Sequence, residues 1–132
     1  MEERYLRTAA LIGEAALEKL KNSTVAVFGI GGVGSYAVEG LARAGVGNLI
    51  LVDPETISIS NVNRQIHSLR STVGQYKVDA MKARIADISP ETSVSSGAVP
   101  IRIRSERFIS ARTVSAALAL TVALVSALTR PR

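Results

Sequence analysis

The stretch that decides the fold reads "VAVFGIGGVG", residues 25–34, in which four apolar residues run into four glycines within six positions. Residues 24–28 predict a buried β-strand, because the segment is apolar after its first residue and rich in valine. Glycine has no Cβ, so it lets the backbone turn sharply and lets another group come close to it. Such a turn between a strand and a helix is typical of phosphate binding, since backbone amides and the positive end of the helix dipole face the ligand.

The segments on either side predict an α/β fold. Residues 33–44 predict a helix with one apolar face, and Gly45 is suited to end it. Residues 48–53 predict a second apolar strand that ends on Asp53, and residues 8–20 predict an amphipathic helix before the first strand. Because a helix joins the two strands, we expect them to be parallel neighbours with a right-handed crossover.

The spacing of the glycines matches the G-x-G-x-x-G pattern at Gly29, Gly31 and Gly34. Asp53 follows Gly34 by nineteen residues, at the distance where an acidic residue hydrogen-bonds a ribose hydroxyl. A turn that merely joins strand to helix is the alternative, but the flanking strand, helix and acidic residue favour nucleotide binding.

The segment after Asp53 distinguishes ATP from NAD. It contains Asn61, Asn63, Arg64 and Gln65 as "NVNRQ", beyond the carboxyl end of the second predicted strand. A diphosphate is neutralised by amides and a helix dipole, whereas reaction at the α-phosphate of ATP requires fixed cations. Arg64 offers a bidentate fork and Lys77 a point charge, although each alone would be an ordinary surface or helix residue. Together they favour ATP.

Composition excludes several other classes of protein. The chain has 132 residues and no cysteine, which excludes disulfides and thiolate metal sites and fits a reducing, cytoplasmic location. Up to residue 94 the ten basic residues match ten acidic ones, so the net charge of +5 comes from six arginines and one glutamate beyond it. The basic balance therefore gives no support for nucleic-acid binding by the glycine-rich part.

Longer stretches resemble a known superfamily. "LKNSTVAVFGIGGVGSYAVEGLARAGVGNLILVD" at residues 20–53, "NVNRQ" at 61–65 and "STVGQYK" at 71–77 resemble the adenylating enzymes of the ubiquitin-activating type. Within that superfamily they are most similar to the tRNA threonylcarbamoyladenosine dehydratases. The resemblance covers about residues 4–91 and implies a Rossmann-like parallel sheet with flanking helices, of which this chain holds the N-terminal portion.

The resemblance also implies the roles of individual residues. The positions that match the family's nucleotide-binding residues are Gly29, Gly31, Gly32, Gly34, Asp53, Asn63, Arg64, Gln65 and Lys77. Arg7 in "RYLR" matches an arginine that one subunit of the family supplies to the ATP phosphates of its partner. The resemblance therefore implies a homodimer in which Arg64, Lys77 and the partner subunit's Arg7 stabilise the transition state.

The implied activity is ATP- and Mg²⁺-dependent activation of a carboxylate, here the cyclisation of a modified base in tRNA. One alternative is adenylation of the C-terminus of a sulfur-carrier or ubiquitin-like protein. A second is an NAD-dependent oxidoreductase, which explains the glycines and Asp53 but gives "NVNRQ" and Lys77 no role. A third is a non-catalytic nucleotide-binding remnant.

The composition changes near residue 94, which predicts a nucleotide-binding domain over residues 1–94 and an atypical tail over 95–132. Residues 113–129 carry no charge, so we weigh a diverged strand and helix, a truncated or out-of-frame sequence, and membrane insertion. We favour a truncated or altered tail. Ser126 and Thr129 stand where the family has acidic residues that help to hold Mg²⁺, so no metal ligand is assigned and we expect this chain by itself to be a poor catalyst or none.

His67, the only histidine, lies just beyond the segment expected to contact phosphate. One alternative for its role is a general base in catalysis. We expect instead a loop residue whose ring is hydrogen-bonded by solvent or backbone.

Overall fold

A sheet of three parallel strands is the centre of the fold in the computed structural model, which describes residues 3–97. The elements in chain order are α1 (Leu6–Ile12), α2 (Glu14–Lys21), β1 (Thr24–Phe28), α3 (Gly34–Ala44), β2 (Asn48–Val52), α4 (Lys77–Ile88) and β3 (Ser93–Gly97). Short 3₁₀ turns lie at Glu3–Tyr5, Ile59–Asn61 and Arg70–Thr72. Within residues 3–97, no helix is both long enough and apolar enough to cross a membrane.

The strands pair in the order β1-β2-β3. Thr24 pairs with Asn48 and Phe28 with Val52, so the parallel pair expected from the sequence is confirmed. β3 continues the sheet on the other side of β2, with Ser93 opposite Asn48. This strand was not predicted, and it runs across the expected domain boundary at residue 94.

The hydrophobic core lies on one face of the sheet. Alternate residues of β1 and β2 are buried there under α3 and α4, whose buried apolar residues include Val38, Ala42, Met81 and Ile85. The period of two along the strands and the spacing along the helices direct these side chains to the same layer. On the other face, Phe28 is 47% exposed and Ile50 is 40% exposed.

The N-terminal helix differs from the prediction. The single helix expected over residues 8–20 is two helices, because Gly13 interrupts the helical backbone with φ of +83° and ψ of 157°. This conformation lies far outside the helical region, and glycine adopts it without the clash that a Cβ would cause. Tyr5, Ala9 and Leu17 form a small separate cluster beside the main core.

Two glycines allow backbone segments to approach closely. A Cβ on Gly34, at the start of α3, would lie 1.9 Å from the carbonyl oxygen of Gly29. A Cβ on Gly47, just before β2, would lie 1.7 Å from the carbonyl oxygen of Lys21. Side chains at these positions are therefore excluded unless the backbone moves.

We expect Gly47→Ala to destabilise the protein by about 1–3 kcal/mol, since the new methyl group forces backbone apart. Gly40→Ala is the matched control, because nothing lies within 4 Å of a Cβ there and it sits inside α3. Alanine at a helix interior is favoured over glycine by roughly 0.5–1 kcal/mol, so this control should be stabilised. Urea unfolding measures both; equal stability of the two variants would contradict the close approach.

Candidate functional site

The glycine turn begins where β1 ends. Gly29 has φ of +85°, and its N–H donates to the carbonyl oxygen of Val52 at 2.8 Å, which ties the turn to the end of β2. The N–H groups of Gly31, Gly32 and Val33 donate to no acceptor within residues 3–97. Since they precede the first turn of α3, these amides and the helix dipole together form an anion-binding position.

Two buried side chains hold Ile30 in the middle of the turn. The Asp53 carboxylate accepts from the N–H of Ile30 at 2.7 Å through Oδ2, and from the N–H of Glu55 at 2.9 Å through Oδ1. The carbonyl oxygen of Ile30 lies 2.7 Å from Nε2 of His67. Asp53 therefore fixes the turn through its carboxylate, and the ribose contact expected of it stays a prediction.

Arg64 lies directly against the turn. Its Cγ and Cδ are 3.8 Å and 3.9 Å from the place where a Cβ on Gly32 would stand. The guanidinium Nη1 donates to the carbonyl oxygen of Ser60 at 2.9 Å and to Oδ1 of Asn63 at 3.0 Å. The side chain is exposed, and its remaining N–H groups make no hydrogen bond within residues 3–97. Asn63 thus orients Arg64 beside the free amides.

Gln65 is buried next to the turn and carries an acceptor without a partner. Its Nε2 lies 3.7 Å from the Cβ position of Gly31. Its Oε1 is buried and makes no hydrogen bond within residues 3–97. Buried polar atoms are almost always paired in folded proteins, so this unpaired amide oxygen beside the turn is unusual.

Lys77 reaches the same end of the sheet through a backbone pairing. The segment after β2 pairs antiparallel with the segment before α4, through Thr56 and Tyr76, and the N–H of Lys77 donates to the carbonyl oxygen of Glu55. The Lys77 side chain is only 3% exposed, and its ammonium is paired with the carboxylate of Glu55, which is 68% exposed. A buried ammonium therefore has one carboxylate partner at the protein surface.

His67 is hydrogen-bonded as a loop residue, as expected, but it is buried rather than solvated. Besides Ile30, its ring contacts Oγ of Ser68, which lies 3.1 Å from Nδ1. Burial lowers the pKa of the imidazole, and the charge of Lys77 acts in the same direction, against the hydrogen bond to Ile30 and the charge of Asp53. These surroundings therefore favour the neutral form of the ring at neutral pH.

Arg7 lies at the other end of the sheet. Tyr5, two residues before Arg7, donates a hydrogen bond from its hydroxyl to Glu91 Oε1 at 2.8 Å and packs against Gly45. Gly45 comes shortly before β2 and Glu91 shortly before β3, so this anchor lies at the amino ends of the strands. The structure thus brings the glycines, Asp53, Asn63, Arg64, Gln65 and Lys77 together and leaves Arg7, which is exposed, apart from them.

Acidic residues near the turn do not form a metal cluster. Within the described part of the chain, no group of three histidine, aspartate or glutamate side chains is arranged to hold a metal ion. The expected positions of the acidic ligands, Ser126 and Thr129, lie outside the described residues.

Two functional contacts escaped the sequence reasoning. Glu55 follows the predicted ribose acid by two residues and was not singled out, although it is the carboxylate partner of Lys77. The hydrogen bond from His67 to the turn joins residues 37 positions apart, and no local pattern marks such a pair. The position of His67 two residues after "NVNRQ" was the only signal.

Comparison with known proteins identifies relatives of this chain. The tRNA threonylcarbamoyladenosine dehydratase of Bacillus subtilis (strain 168) is 62% identical over 94 residues, which are 71% of this chain and 37% of the relative. The molybdopterin-synthase adenylyltransferase of Escherichia coli (strain K12) is 44% identical over 78 residues, 59% of this chain and 31% of the relative. The chain thus spans about a third of the length of these relatives.

Among solved structures, the E. coli tRNA N6-threonylcarbamoyladenosine dehydratase in complex with ATP superposes with a TM-score of 0.73. It is 43% identical and covers 75% of this chain, which spans 41% of that one. The family model of the ThiF family matches residues 4–124, well past residue 91 and into the tail. The superfamily resemblance and the Rossmann-like fold are therefore confirmed, and the chain belongs to the ThiF family.

Proposed function

We propose that this chain provides the ATP-binding part of an enzyme that adenylates a carboxylate, in the manner of a tRNA threonylcarbamoyladenosine dehydratase. The observation that carries the proposal is that Arg64 lies against a glycine turn with free amides, while a second cation, Lys77, is held at the same end of the sheet by its pairing with Glu55. The modified base of tRNA is then the substrate. ATP serves as the second substrate, and the reaction takes place in the cytoplasm.

The arrangement suits a triphosphate. The free amides of Gly31, Gly32 and Val33 can hold one phosphate group at the start of α3. Arg64 lies against Gly32 and can donate in a bidentate fashion to oxygens of the same or the next group. Donors that are fixed before the reaction stabilise the charge that develops on phosphate oxygens without reorganising.

Lys77 supplies the second cation by exchanging partners. A buried ammonium requires a negative partner, which Glu55 provides in this structure. Because the Glu55 side chain is largely exposed, it can turn toward solvent when a phosphate oxygen takes its place. The phosphate oxygen then pairs with an ammonium that is already desolvated and held in position.

The free amides and Arg64 fit the phosphate groups of ATP. For Mg²⁺ the residues near the turn are a poor match, because Asp53 accepts from two backbone amides and no three acidic or histidine side chains within residues 3–97 are arranged to hold a metal ion. We therefore assign no Mg²⁺ ligand within residues 3–97.

Adenylation of a sulfur-carrier protein is the second candidate. It uses the same ATP site, and similarity to a molybdopterin-synthase adenylyltransferase favours it specifically. An NAD-dependent oxidoreductase explains the turn and Asp53 but requires neither cation. A nucleotide-binding remnant would keep the site geometry without turnover.

The location of Arg7 supports a homodimer. A strand of five residues is about 13 Å long, so the amino-end anchor of Tyr5 and the glycine turn lie at opposite ends of the sheet. Arg7 therefore reaches a glycine turn more readily in a second copy than in its own chain. Leu6 and Leu11 on the same helix are exposed, at 51% and 88%, and offer apolar surface for that contact.

We expect the full chain to bind ATP more tightly than NAD, as measured by isothermal titration calorimetry with both ligands. Arg64→Ala should weaken ATP about tenfold or more, because a charge-assisted hydrogen bond is lost, and should leave adenosine binding unchanged. Arg70→Ala is the matched control, since Arg70 is exposed on a neighbouring 3₁₀ turn. Tighter binding of NAD than of ATP would contradict the proposed adenylation.

We expect the chain to form a two-fold dimer at micromolar concentration, as measured by sedimentation velocity with and without ATP. In a full-length relative with the same residues, variants equivalent to Arg7→Ala and Lys77→Ala should each be inactive alone. Mixed dimers should regain part of the activity, because one of their two sites keeps both groups. Monomers only, or no recovery in the mixture, would argue against a shared site.

A further inference from the structure

One peptide unit in the glycine turn has its two polar groups on opposite sides. The carbonyl of Ile30 and the N–H of Gly31 belong to the same trans, planar unit, so they point in opposite directions. The carbonyl lies 2.7 Å from Nε2 of His67. The N–H of Gly31 therefore points away from His67, and it meets no acceptor within residues 3–97.

The imidazole that sets this direction is itself fixed. A carbonyl oxygen only accepts, so Nε2 of His67 carries the proton and donates to Ile30. Nδ1 is then the acceptor for the hydroxyl of Ser68 at 3.1 Å. The ring is 2% exposed, so no water competes for either nitrogen. The side chain holds one tautomer and one orientation.

Asp53 completes the constraint from the other side of Ile30. It accepts from the N–H of Ile30 at 2.7 Å, so the peptide units before and after this residue are both anchored. Rotation about the backbone of Ile30 would break one of these two hydrogen bonds. The direction of the Gly31 N–H is consequently determined by two buried side chains, Asp53 and His67.

We propose that His67 is a positioning residue, which aims the N–H of Gly31 at a phosphate group of the bound nucleotide through its hydrogen bond to Ile30. This inference rests on the proposed ATP site. It assigns His67 no proton transfer, because both ring nitrogens are engaged and buried. It also explains why the ring is held neutral by its surroundings rather than exposed as a base.

The test compares His67→Leu, which removes the donor, with His67→Gln, whose Nε2 can donate to Ile30 from a similar position. Isothermal titration calorimetry measures the affinity of each full chain for ATP and for adenosine. We expect His67→Leu to weaken ATP about tenfold, the loss of one well-aimed hydrogen bond to a charged group, and to leave adenosine within about twofold. His67→Gln should restore most of the ATP affinity.

Thr72→Val is the matched control for loosening of the loop. Its hydroxyl donates to the carbonyl oxygen of His67 at 2.8 Å and accepts from the N–H of Leu69, so the variant weakens the same loop without touching the imidazole. We expect lower stability with an unchanged ratio of ATP to adenosine affinity. An equal loss of ATP affinity in Thr72→Val and His67→Leu would overturn the positioning role.

The outcomes separate this inference from the proposed function. If the unmodified chain fails to bind ATP, the proposed function fails and the role of His67 with it. If ATP binds equally well to the unmodified chain and to His67→Leu, only the role of His67 is overturned.

Nitrogen-15 NMR measures the tautomer of His67 directly, because His67 is the single histidine. We expect a neutral ring protonated at Nε2 at pH 7, and protonation at Nδ1 would overturn the inference.

Discussion

The contact between the start of α3 and the carbonyl of Gly29 is the constraint on which the rest of the site depends. With a Cβ excluded at 1.9 Å, only glycine at position 34 lets the helix begin this close to the end of β1. That closeness puts the free amides of Gly31, Gly32 and Val33 at the helix start rather than in a longer loop. A longer loop would spread the same amides over several directions and lose the contribution of the helix dipole.

Most of the fold was predictable because local patterns and tertiary packing agree. β1 and β2 are continuous apolar runs that pair in parallel as predicted, although only one face of them is buried within residues 3–97, and Gly45 ends α3 in the left-handed conformation expected of it. The break at Gly13 was missed, since a single glycine is tolerated within an amphipathic pattern. β3 was missed because its sequence, "SVSSG", has no apolar run, and pairing with β2 defines it.

The candidate site was predictable in its residues but not in its connections. Gly29, Asp53 and Arg64 follow from spacing and from family resemblance, and the structure places them at one end of the sheet. The partners that fix them belong to other parts of the chain: His67 holds the turn, and Glu55 holds Lys77. Such pairings depend on the loop between β2 and α4, whose course is set by backbone hydrogen bonds that no periodicity reveals.

The two ends of the sheet carry different tasks, and this division bears on how a complete site is assembled. At the amino ends, Gly47 and Tyr5 tie the N-terminal helices to the sheet through close packing. At the carboxyl ends lie the glycine turn, the exposed Arg64, and the buried Lys77 with its partner Glu55. A single copy therefore keeps Arg7 and its own turn at opposite ends of the strands. In the proposed homodimer, two-fold symmetry would resolve this separation, because a contact that brings Arg7 of one copy to the turn of the other also does the reverse.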